Sequence, residues 1–343
     1  MGCKSCNKDE PEDGAINIPN FKEQKEKFIK NFNEFLEKSG YKKLKEEEFD
    51  INIPENYLKL SNEHSSNFPQ EFSENITLFE EEPIQFKNGN IFKGKWNENI
   101  TMEGKGKYYI KTDDIFVEGF WKNGELIYGR IFMPDGNIYE GNIKNSKFNG
   151  QGKLILEDAV YEGLFENGEF KNGKLTWNNG YEYNGNFNGF CLQGKGKLKS
   201  PEGDIYEGDF DENYFHGEGK YTYHDSQNTY EGEFQYGIKK GKGKYTAKNE
   251  YIYNGNWDND LPFGYGKLST SDNSCVLKCT FRAGKIAEDP IYEKGSKENF
   301  NPDEFEIKPE EMKINIKNLT HLDILDKEPT EFKPGSLPSF FSD

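Results

Sequence analysis

Long apolar runs are missing from this 343-residue sequence, in which only 33% of the residues are hydrophobic. No stretch approaches the length of about 18 apolar residues that a membrane-spanning helix needs. No apolar segment follows the first residues as it would in a secretory signal peptide. We therefore expect a protein without a transmembrane helix that works inside the cell.

The motifs that mark common enzymes are also missing. The sequence has no phosphate-binding loop, no dinucleotide fingerprint, no His-Glu-x-x-His and no Gly-x-Ser-x-Gly. Its four histidines, His64, His216, His224 and His321, are scattered, and none pairs with a nucleophile. We predict no catalytic residues, no enzymatic activity, no cofactor and no small-molecule substrate.

Cysteine is scarce, and the five cysteines show no disulfide-framework spacing, which fits a reducing compartment. Cys3 and Cys6 have the spacing of a redox pair but lack the flanking strand and helix. Together with Cys275 and Cys279 they would make a zinc site, yet that second pair has a three-residue gap inside repeat-like sequence. No metal is predicted, and Cys191 is interpreted as structural.

Glycine and aromatic residues, by contrast, are abundant and recur at a fixed period. An aromatic-x-Gly triplet returns at steps of 22 to 25 residues, and most copies are followed about a dozen residues later by Gly-x-Gly-Lys. The triplets begin at Phe92, Val117, Tyr139, Tyr161, Tyr183, Tyr206, Tyr230 and Tyr253. Such a period indicates a repeat architecture.

Each repeat is predicted to be a β-hairpin. Alternate residues share a face of a strand, so Tyr206, Gly208 and Phe210 point one way while the charged residues between them point the other. Several glycines per segment would destabilise a helix. We expect Gly208, Gly217 and Gly219 to form a bare floor on which rings from neighbouring strands lie.

The pattern YEGxFxxGxxxGxGxL closely resembles the MORN repeat, the membrane occupation and recognition nexus, over about residues 90–270, with a degenerate ninth unit from Leu277. The resemblance implies an all-β core: an elongated, twisted, single-layer antiparallel sheet of repeated β-hairpins with an N-terminal helix and irregular flanks. It also implies an aromatic groove that binds partner proteins. The predicted groove residues are Trp96, Tyr139, Tyr161, Phe165, Tyr183, Phe187, Tyr206, Phe210, Tyr230, Phe234, Tyr253 and Trp257.

The first residues, MGCKSCNK, resemble the N-termini of dually acylated kinases of the Src family. That resemblance implies myristoylation of Gly2 and palmitoylation of Cys3 and Cys6, although Cys6 stands where the usual pattern has Ser or Thr. Two acyl chains anchor a protein stably, whereas one myristoyl chain binds a membrane only marginally. We predict a tether to the cytosolic face of a plasma or ciliary membrane.

The net charge of −17 is concentrated outside the repeats. Residues 84–286 carry 26 basic and 28 acidic residues, so the flanks hold −15 of the total. Nucleic acid is therefore not an expected partner. The lysines of the Gly-Lys-Gly-Lys segments leave phospholipid binding open as a second alternative function, although acidic residues offset them.

Four regions follow from these patterns: an acylation segment and linker (1–19), a helix and extended segment (20–89), the repeat array (90–286) and an acidic, proline-containing tail (287–343). The prediction of a helix is based on an apolar stripe at helical spacing that ends before Gly40. The stripe is formed by Phe28, Phe32, Phe35 and Leu36. We expect this helix to cap one end of the sheet. Phenylalanines in the tail are predicted docking points on the protein's own groove or on a partner.

The sequence as a whole predicts a non-enzymatic scaffold or adaptor that is tethered by acyl chains and binds partner proteins along the groove. The alternative is a structural subunit of a ciliary or flagellar axoneme or of the cortical cytoskeleton, with cytoskeletal or ciliary partners.

Overall fold

A computed structural model of the chain describes residues 21–57, 59, 78–297, 301, 305–307, 312 and 314. Contacts divide the protein into two units. The first holds the chain up to residue 113 together with 120–124, and the second holds 114–119 and everything from 125 onward. The acylation segment 1–19 lies outside the described residues.

The first unit is built around the predicted amphipathic helix. Helix α1 (Phe21–Ser39) ends where Gly40 takes a positive φ of 68° and its N–H donates to the Leu36 carbonyl at 2.9 Å. Phe28 stacks on Phe79 with ring centroids 4.1 Å apart, and Phe32 meets Trp96 edge-on at 5.1 Å. The apolar stripe therefore packs on strands of its own unit.

Short elements complete this unit. They are β1 (Lys42–Lys43), α2 (Glu46–Asn52), β2 (Phe79–Glu80), β3 (Ile84–Gln85), β4 (Ile91–Trp96) and β5 (Met102–Ile110). Strand β4 pairs with β2, β3 and β5, and β1 pairs with β3, all antiparallel. Helix α2 is an addition, because the sequence pattern predicted one helix that ends before Gly40 and an extended segment only from residue 50.

Strand β6 (Ile115–Lys122) is divided between the units, and the second unit continues as consecutive strands. They are β7 (Glu125–Phe132), β8 (Ile138–Lys144), β9 (Lys147–Ile155), β10 (Ala159–Glu166), β11 (Glu169–Trp177), β12 (Glu182–Asn188), β13 (Cys191–Lys199), β14 (Ile205–Asp211), β15 (Tyr214–Thr222), β16 (Thr229–Gln235), β17 (Ile238–Ala247), β18 (Tyr251–Asp258), β19 (Leu261–Thr270), β20 (Val276–Arg282), β21 (Lys285–Ile286) and β22 (Ile291–Lys294).

From β7 to β20 each strand pairs antiparallel with the next. The prediction of an all-β antiparallel sheet of hairpins is confirmed.

Register is set by aligned aromatics and glycines. In the hairpin of β14 and β15, Tyr206 lies opposite Tyr221 and Gly208 opposite Gly219, after which a bulge shifts the pairing. The same shift follows the aromatic-x-Gly triplet in the hairpins that begin with β8, β12, β16 and β18. Aromatic residues and glycines recur at the same points of the register. This alignment fixes which face of the sheet each side chain takes.

Neighbouring hairpins are also joined at their turns. Most of these turns place two residues at positive φ, as at Tyr236 (49°) and Gly237 (81°), which is the backbone of the tight hairpin turn that matches strand twist. The second turn residue donates its N–H to the preceding hairpin, for example Gly237 to the Phe215 carbonyl at 2.9 Å. The turns thus continue the hydrogen-bonded array along one side of the strands.

Candidate partner-binding surface

All twelve aromatic residues predicted to line a groove are buried, and none is more than 6% exposed. Trp96 lies in the first unit against Phe32 and Phe92, and the other eleven lie in the second unit. Contact between these rings and a partner stays a prediction. In this conformation it would require neighbouring groups to move away.

The inward rings of the second unit form a continuous row, which we call the ring row. Tyr206 meets Phe210 of its own strand and Phe234 of the next hairpin, both edge-on, at 5.1 and 5.2 Å. The same contact, between a tyrosine and a ring of the next hairpin, recurs with centroid distances of 4.8 to 5.0 Å. The pairs are Tyr183 with Phe210, Tyr230 with Trp257 and Tyr253 with Phe281. Edge-on aromatic pairs each stabilise by about 0.5–1.5 kcal/mol beyond their burial.

The tyrosine hydroxyls of this row are satisfied locally. Tyr206 donates to the Asp209 carbonyl at 2.8 Å, three residues along its own strand. The same bond recurs at 2.8 to 2.9 Å for Tyr139, Tyr183, Tyr230 and Tyr253. Burial raises the pKa of each of these hydroxyls well above the ordinary value of 10.0. They are neutral donors that hold the bulged backbone.

The predicted glycine floor is correct for two of its three members. A Cβ on Gly208 would lie 2.6 Å from the Tyr206 hydroxyl, and one on Gly219 would collide with the same ring. Gly217 is a correction, because it takes a positive φ of 55° at the bulge and its nearest neighbour is Asp209. Its role is conformational, as expected of a bulge glycine, and it does not floor the ring.

The opposite face of the sheet carries charges of alternating sign. Glu207 lies between Lys197 and Lys220 of the flanking strands, and Glu231 lies between Lys220 and Lys244. Directly opposed charges of opposite sign stabilise a register and offset one another. From β13 to β17 the outer face is therefore a ladder of alternating charge. Asn254 interrupts the ladder, and beyond it Lys267 and Lys278 lie opposite each other and both pair with Glu293.

Large apolar side chains emerge at the turn end of this outer face, and the sequence patterns did not single them out. Tyr236, Phe263 and Tyr265 are each more than half exposed, and Ile238 is 38% exposed. They belong to the two successive hairpins β16–β17 and β18–β19. We call these four residues the outer apolar cluster. Exposed apolar residues on neighbouring hairpins are candidates for an interaction site.

Tyr236 is the unusual member of the cluster. Its φ of 49° places it in the left-handed region, where an L-residue other than Gly, Asn or Asp is disfavoured by roughly 1–2 kcal/mol. The equivalent turn positions hold asparagine in four hairpins, whereas Glu212 and Ala283 occupy two others with the same positive φ. Comparing turn residues across the repeats would have identified Tyr236 from sequence, because an aromatic replaces the expected asparagine.

A buried lysine also departs from the repeat pattern. Lys239, 2% exposed, stands where the preceding hairpin has Phe215. Its ammonium lies 5.2 to 5.8 Å from the ring centroids of Tyr223, Tyr230 and Trp257, and it donates to the Tyr223 hydroxyl. A cation thus replaces an aromatic ring within the ring row and is held by ring faces.

The cysteines do not gather in the described part of the chain. Cys191 is exposed, whereas Cys275 and Cys279 are buried, and burial raises the pKa of the Cys279 thiol to about 11. No group of three or more potential ligands among the described residues could hold a metal ion. Gly2, Cys3 and Cys6 lie outside the described residues, so their acylation stays a prediction.

A family model for the MORN repeat matches residues 139–158, 206–227, 230–249 and 253–275. The chain contains MORN repeats. These four MORN matches correspond to four of the hairpins that carry the ring row, and they indicate a role in protein interaction or at membranes. No described helix has the length and apolar character required to cross a bilayer. No curated protein matches the chain.

Two solved structures are similar to the chain only at low identity and low TM-score. The wild-type TCP10 domain of Danio rerio CPAP is 10% identical, with a TM-score of 0.27 over 63% of this chain and 90% of that domain. The SAS-4 (dCPAP) TCP domain of Drosophila melanogaster, in complex with a proline-rich motif of Ana2, is also 10% identical. Its TM-score is 0.22 over 64% of this chain and 97% of that one. Scores this low carry no functional argument for the MORN array.

Proposed function

We propose that the protein is a non-enzymatic scaffold whose MORN array binds partner proteins while N-terminal acyl chains hold it at a cytosolic membrane face. The observation that carries the protein-binding part is the outer apolar cluster with the strained Tyr236 at its edge. An aromatic residue that is more than half exposed and takes a disfavoured backbone conformation is a reason to infer function. We expect asparagine to be at least as stable at this position, so the exposed ring is proposed to serve binding.

The geometry of this cluster suits a protein surface as its ligand. Tyr236 meets Tyr214 and His216 edge-on, with centroids 6.1 and 5.4 Å apart, so its ring is held in place while its outer side stays exposed. Tyr236 lies in the turn before β17 and Phe263 lies on β19, so the two rings belong to successive hairpins. Aromatic side chains are enriched among interface hot spots.

A photo-crosslinking amino acid at position 236 tests the proposal in cells. We expect it to capture a discrete protein, whereas the same amino acid at Asn167, an equivalent turn position of another repeat, should not. Tyr236→Asn in a tagged chain should then abolish co-purification of the captured protein. Equal crosslinking from both positions would refute a specific surface.

The membrane tether rests on Gly2, Cys3 and Cys6, and two acyl chains supply the stable anchoring that one lacks. Mass spectrometry of the N-terminal peptide should find the myristoyl and palmitoyl groups. Gly2→Ala should move the protein from the membrane pellet to the soluble fraction. An unmodified peptide together with unchanged fractionation would remove the tether and leave the scaffold proposal standing.

The alternative function is a structural subunit of a ciliary or flagellar axoneme or of the cortical cytoskeleton. Two repeated features support it: the hydrogen bonds from each turn to the preceding hairpin, and the ring contacts of the ring row. Both fix each hairpin to the next by the same contacts. Detergent should then leave the protein in the cytoskeletal pellet, and salt should release it. Release by detergent alone would favour the tethered scaffold.

Direct phospholipid binding by the repeats is the second alternative, and the outer charge ladder weighs against it. Three of the lysines that would meet an anionic surface, Lys197, Lys220 and Lys244, already face Glu207 or Glu231 on neighbouring strands. We expect the protein to show no salt-dependent binding to vesicles rich in anionic lipid once Gly2 is replaced by Ala. Strong binding of that variant would restore the lipid hypothesis.

A further inference from the structure

Strand β17 presents a row of lysines on the outer face of the sheet. Lys240, Lys242 and Lys244 are exposed, whereas Gly243 and Tyr245, the neighbours of Lys244, are buried. Alternate residues of a strand point to the same face, at a spacing of about 7 Å along the strand. The three lysines therefore form a cationic row on one strand, which we call the β17 lysine row.

Two equivalent lysines of an earlier hairpin are neutralised by the strand that follows them. On β13, Lys195 forms an ion pair with Asp209 of β14 at 2.8 Å, and Lys197 forms one with Glu207 at 3.4 Å. Each pair consists of directly opposed residues of the two strands. Opposed charges of unlike sign stabilise a register, so these lysines serve the sheet itself.

The corresponding partners of the β17 lysine row are uncharged. Lys242 lies opposite Asn256 of β18, and Lys244 lies opposite Asn254. No ion pair within the described part of the chain includes Lys240 or either of the other two lysines. The row thus carries three charges that β18 does not neutralise.

Strand β16, on the other side of the row, carries two carboxylates that also leave it unpaired. Glu231 lies opposite Lys244, and the Glu233 carboxylate accepts the backbone N–H of Lys242 at 2.8 Å. Neither carboxylate forms an ion pair with a lysine among the residues that the structure describes. The lysine ammonium groups are therefore available to a ligand that lies over β18.

Strand β19 faces the row across β18 with exposed aromatic rings. Phe263 is 53% exposed and Tyr265 is 58% exposed, at alternate positions of the strand. Neither ring meets another aromatic ring in the described segments of the chain. The backbones of β17 and β19 are two strand spacings, about 10 Å, apart because β18 lies between them.

These features form a shallow channel along β18, which we call the β18 channel. Its floor carries the exposed side chains of Asn254 and Asn256, one wall is the β17 lysine row, and the other wall is formed by Phe263 and Tyr265. An extended chain that lies in the channel sends alternate side chains to opposite walls. The residues directed to β17 recur at about 7 Å, which matches the spacing of the lysines.

The two walls together define the chemistry of the ligand. Carboxylates complement the lysine row, and apolar side chains complement the exposed rings. A nucleic acid or an anionic bilayer would also meet lysines, but long-range repulsion by the net charge of −17 grows with the charge of the ligand. A short segment with two or three carboxylates is therefore favoured over a polyanion.

We propose that the β18 channel binds an extended segment of a partner protein in which acidic and apolar residues alternate. Acidic side chains contact the β17 lysine row, and apolar side chains pack on the two rings. The inference rests on the proposed protein-binding role, because Phe263 and Tyr265 belong to the outer apolar cluster, and it adds the chemistry of the bound segment.

Fluorescence anisotropy of the full chain with a labelled peptide of seven residues, in which Glu and Leu alternate, tests the inference. We expect Lys242→Glu to weaken binding at least about tenfold, because a carboxylate of the peptide then meets a like charge. A peptide in which Lys replaces each Glu should bind this variant more tightly than it binds the natural chain. Lys195→Glu is the matched control, since Lys195 is the equivalent residue of an earlier hairpin, and it should bind the first peptide like the natural chain.

The aromatic wall and the alternation are tested separately. Phe263→Ser removes an exposed ring and should weaken binding about tenfold, whereas Ile291→Ser, at a site that is 66% exposed outside the channel, should not. A peptide of the same composition, with its Glu residues grouped at one end, should bind at least about tenfold more weakly than the alternating peptide because it cannot meet both walls.

Equal binding of the alternating and the grouped peptide, or no binding of either, refutes the inference. So does unchanged binding by Lys242→Glu in a chain with natural circular dichroism; if that variant unfolds, Lys242→Gln decides, with an expected loss of about threefold. Oligothymidylate, or phosphatidylserine vesicles with the Gly2→Ala chain, would overturn it by binding more tightly than the peptide and losing that binding in Lys242→Glu. Capture of a protein from position 236 without peptide binding counts against this inference alone, whereas peptide binding without any captured protein counts against the scaffold proposal alone.

Discussion

The contact between Tyr206 and Gly219 gives a prediction that isolates one step of the repeat. The three atoms nearest to a Cβ on Gly219 all belong to the Tyr206 ring, and the backbone around Gly219 does not require glycine. Gly219→Ala should therefore act by overpacking alone. Overpacked substitutions cost about 1–3 kcal/mol, and this site should lie at the upper end because the ring is confined by Phe210, Phe215 and Phe234.

The effect of Gly219→Ala can be compared between the natural chain and a chain that already carries Tyr206→Ala. Tyr206→Ala removes the ring and should cost about 3–5 kcal/mol, as for other buried aromatics. With the ring absent, Gly219→Ala should cost nothing and could stabilise the strand by about 0.5 kcal/mol, since glycine weakens strand interiors. The double-mutant cycle should then give a coupling of about 2–3 kcal/mol between the two positions.

Urea unfolding followed by circular dichroism measures all four chains. Gly136→Ala serves as the comparison, because a Cβ there meets nothing within 4 Å but the φ of 87° is strained, so its cost should be unaffected by Tyr206→Ala. Equal costs of Gly219→Ala with and without Tyr206 would refute the assignment of Gly219 as floor of that ring. If the cost of Gly136→Ala also changed with Tyr206→Ala, the double-mutant cycle would be reporting a general loss of packing and not a direct contact.

Three other predictions concern the ring row and the cluster. Tyr230→Phe should lower the free energy of unfolding by about 1 kcal/mol, because the Glu233 carbonyl loses its 2.9 Å donor, whereas Tyr265→Phe at an exposed site should have no effect in the same urea assay. Tyr236→Asn should keep stability or raise it by up to ~1 kcal/mol, and a loss of more than that in thermal unfolding would show that its ring is structural. Alkaline pH should unfold the array: the folded pKa of Tyr139, Tyr183 and Tyr253 is raised, so their contribution is complete below pH 10.0 and is lost as pH rises through the folded value. Tyrosinate absorbance in a pH titration should therefore rise together with the loss of circular dichroism, and independent titration of a still-folded chain would contradict this.

The period of the sequence predicted the hairpins and the inward direction of Tyr206 and Phe210, because alternation and spacing are local properties. The pattern could not predict that the inward rings would pack against one another and be buried instead of lining an open groove. Closure depends on rings of successive hairpins meeting at about 5 Å, a distance that register and twist set together.

The role of Gly217 was misjudged for a related reason. Simple alternation places it on the same face as Gly219, but the bulge gives it a positive φ that a residue pattern does not display. Phe305 was among the tail residues expected to dock, and it contacts Tyr251. Ile307, which is buried, drew no attention in the sequence, because an isolated isoleucine in an acidic segment forms no period.

The uniform link between hairpins has a consequence for how such a chain can change over generations. Tyr183, Tyr206 and Tyr230 each meet an aromatic ring of the next hairpin edge-on, and turn residues such as Gly237 donate an N–H to a strand carbonyl of the preceding hairpin. A hairpin duplicated or deleted in register would find matching neighbours on both sides. The number of hairpins is therefore free to vary by recombination. Departures from the repeat such as Tyr236 and Lys239 belong to one hairpin and distinguish it from the others in the array.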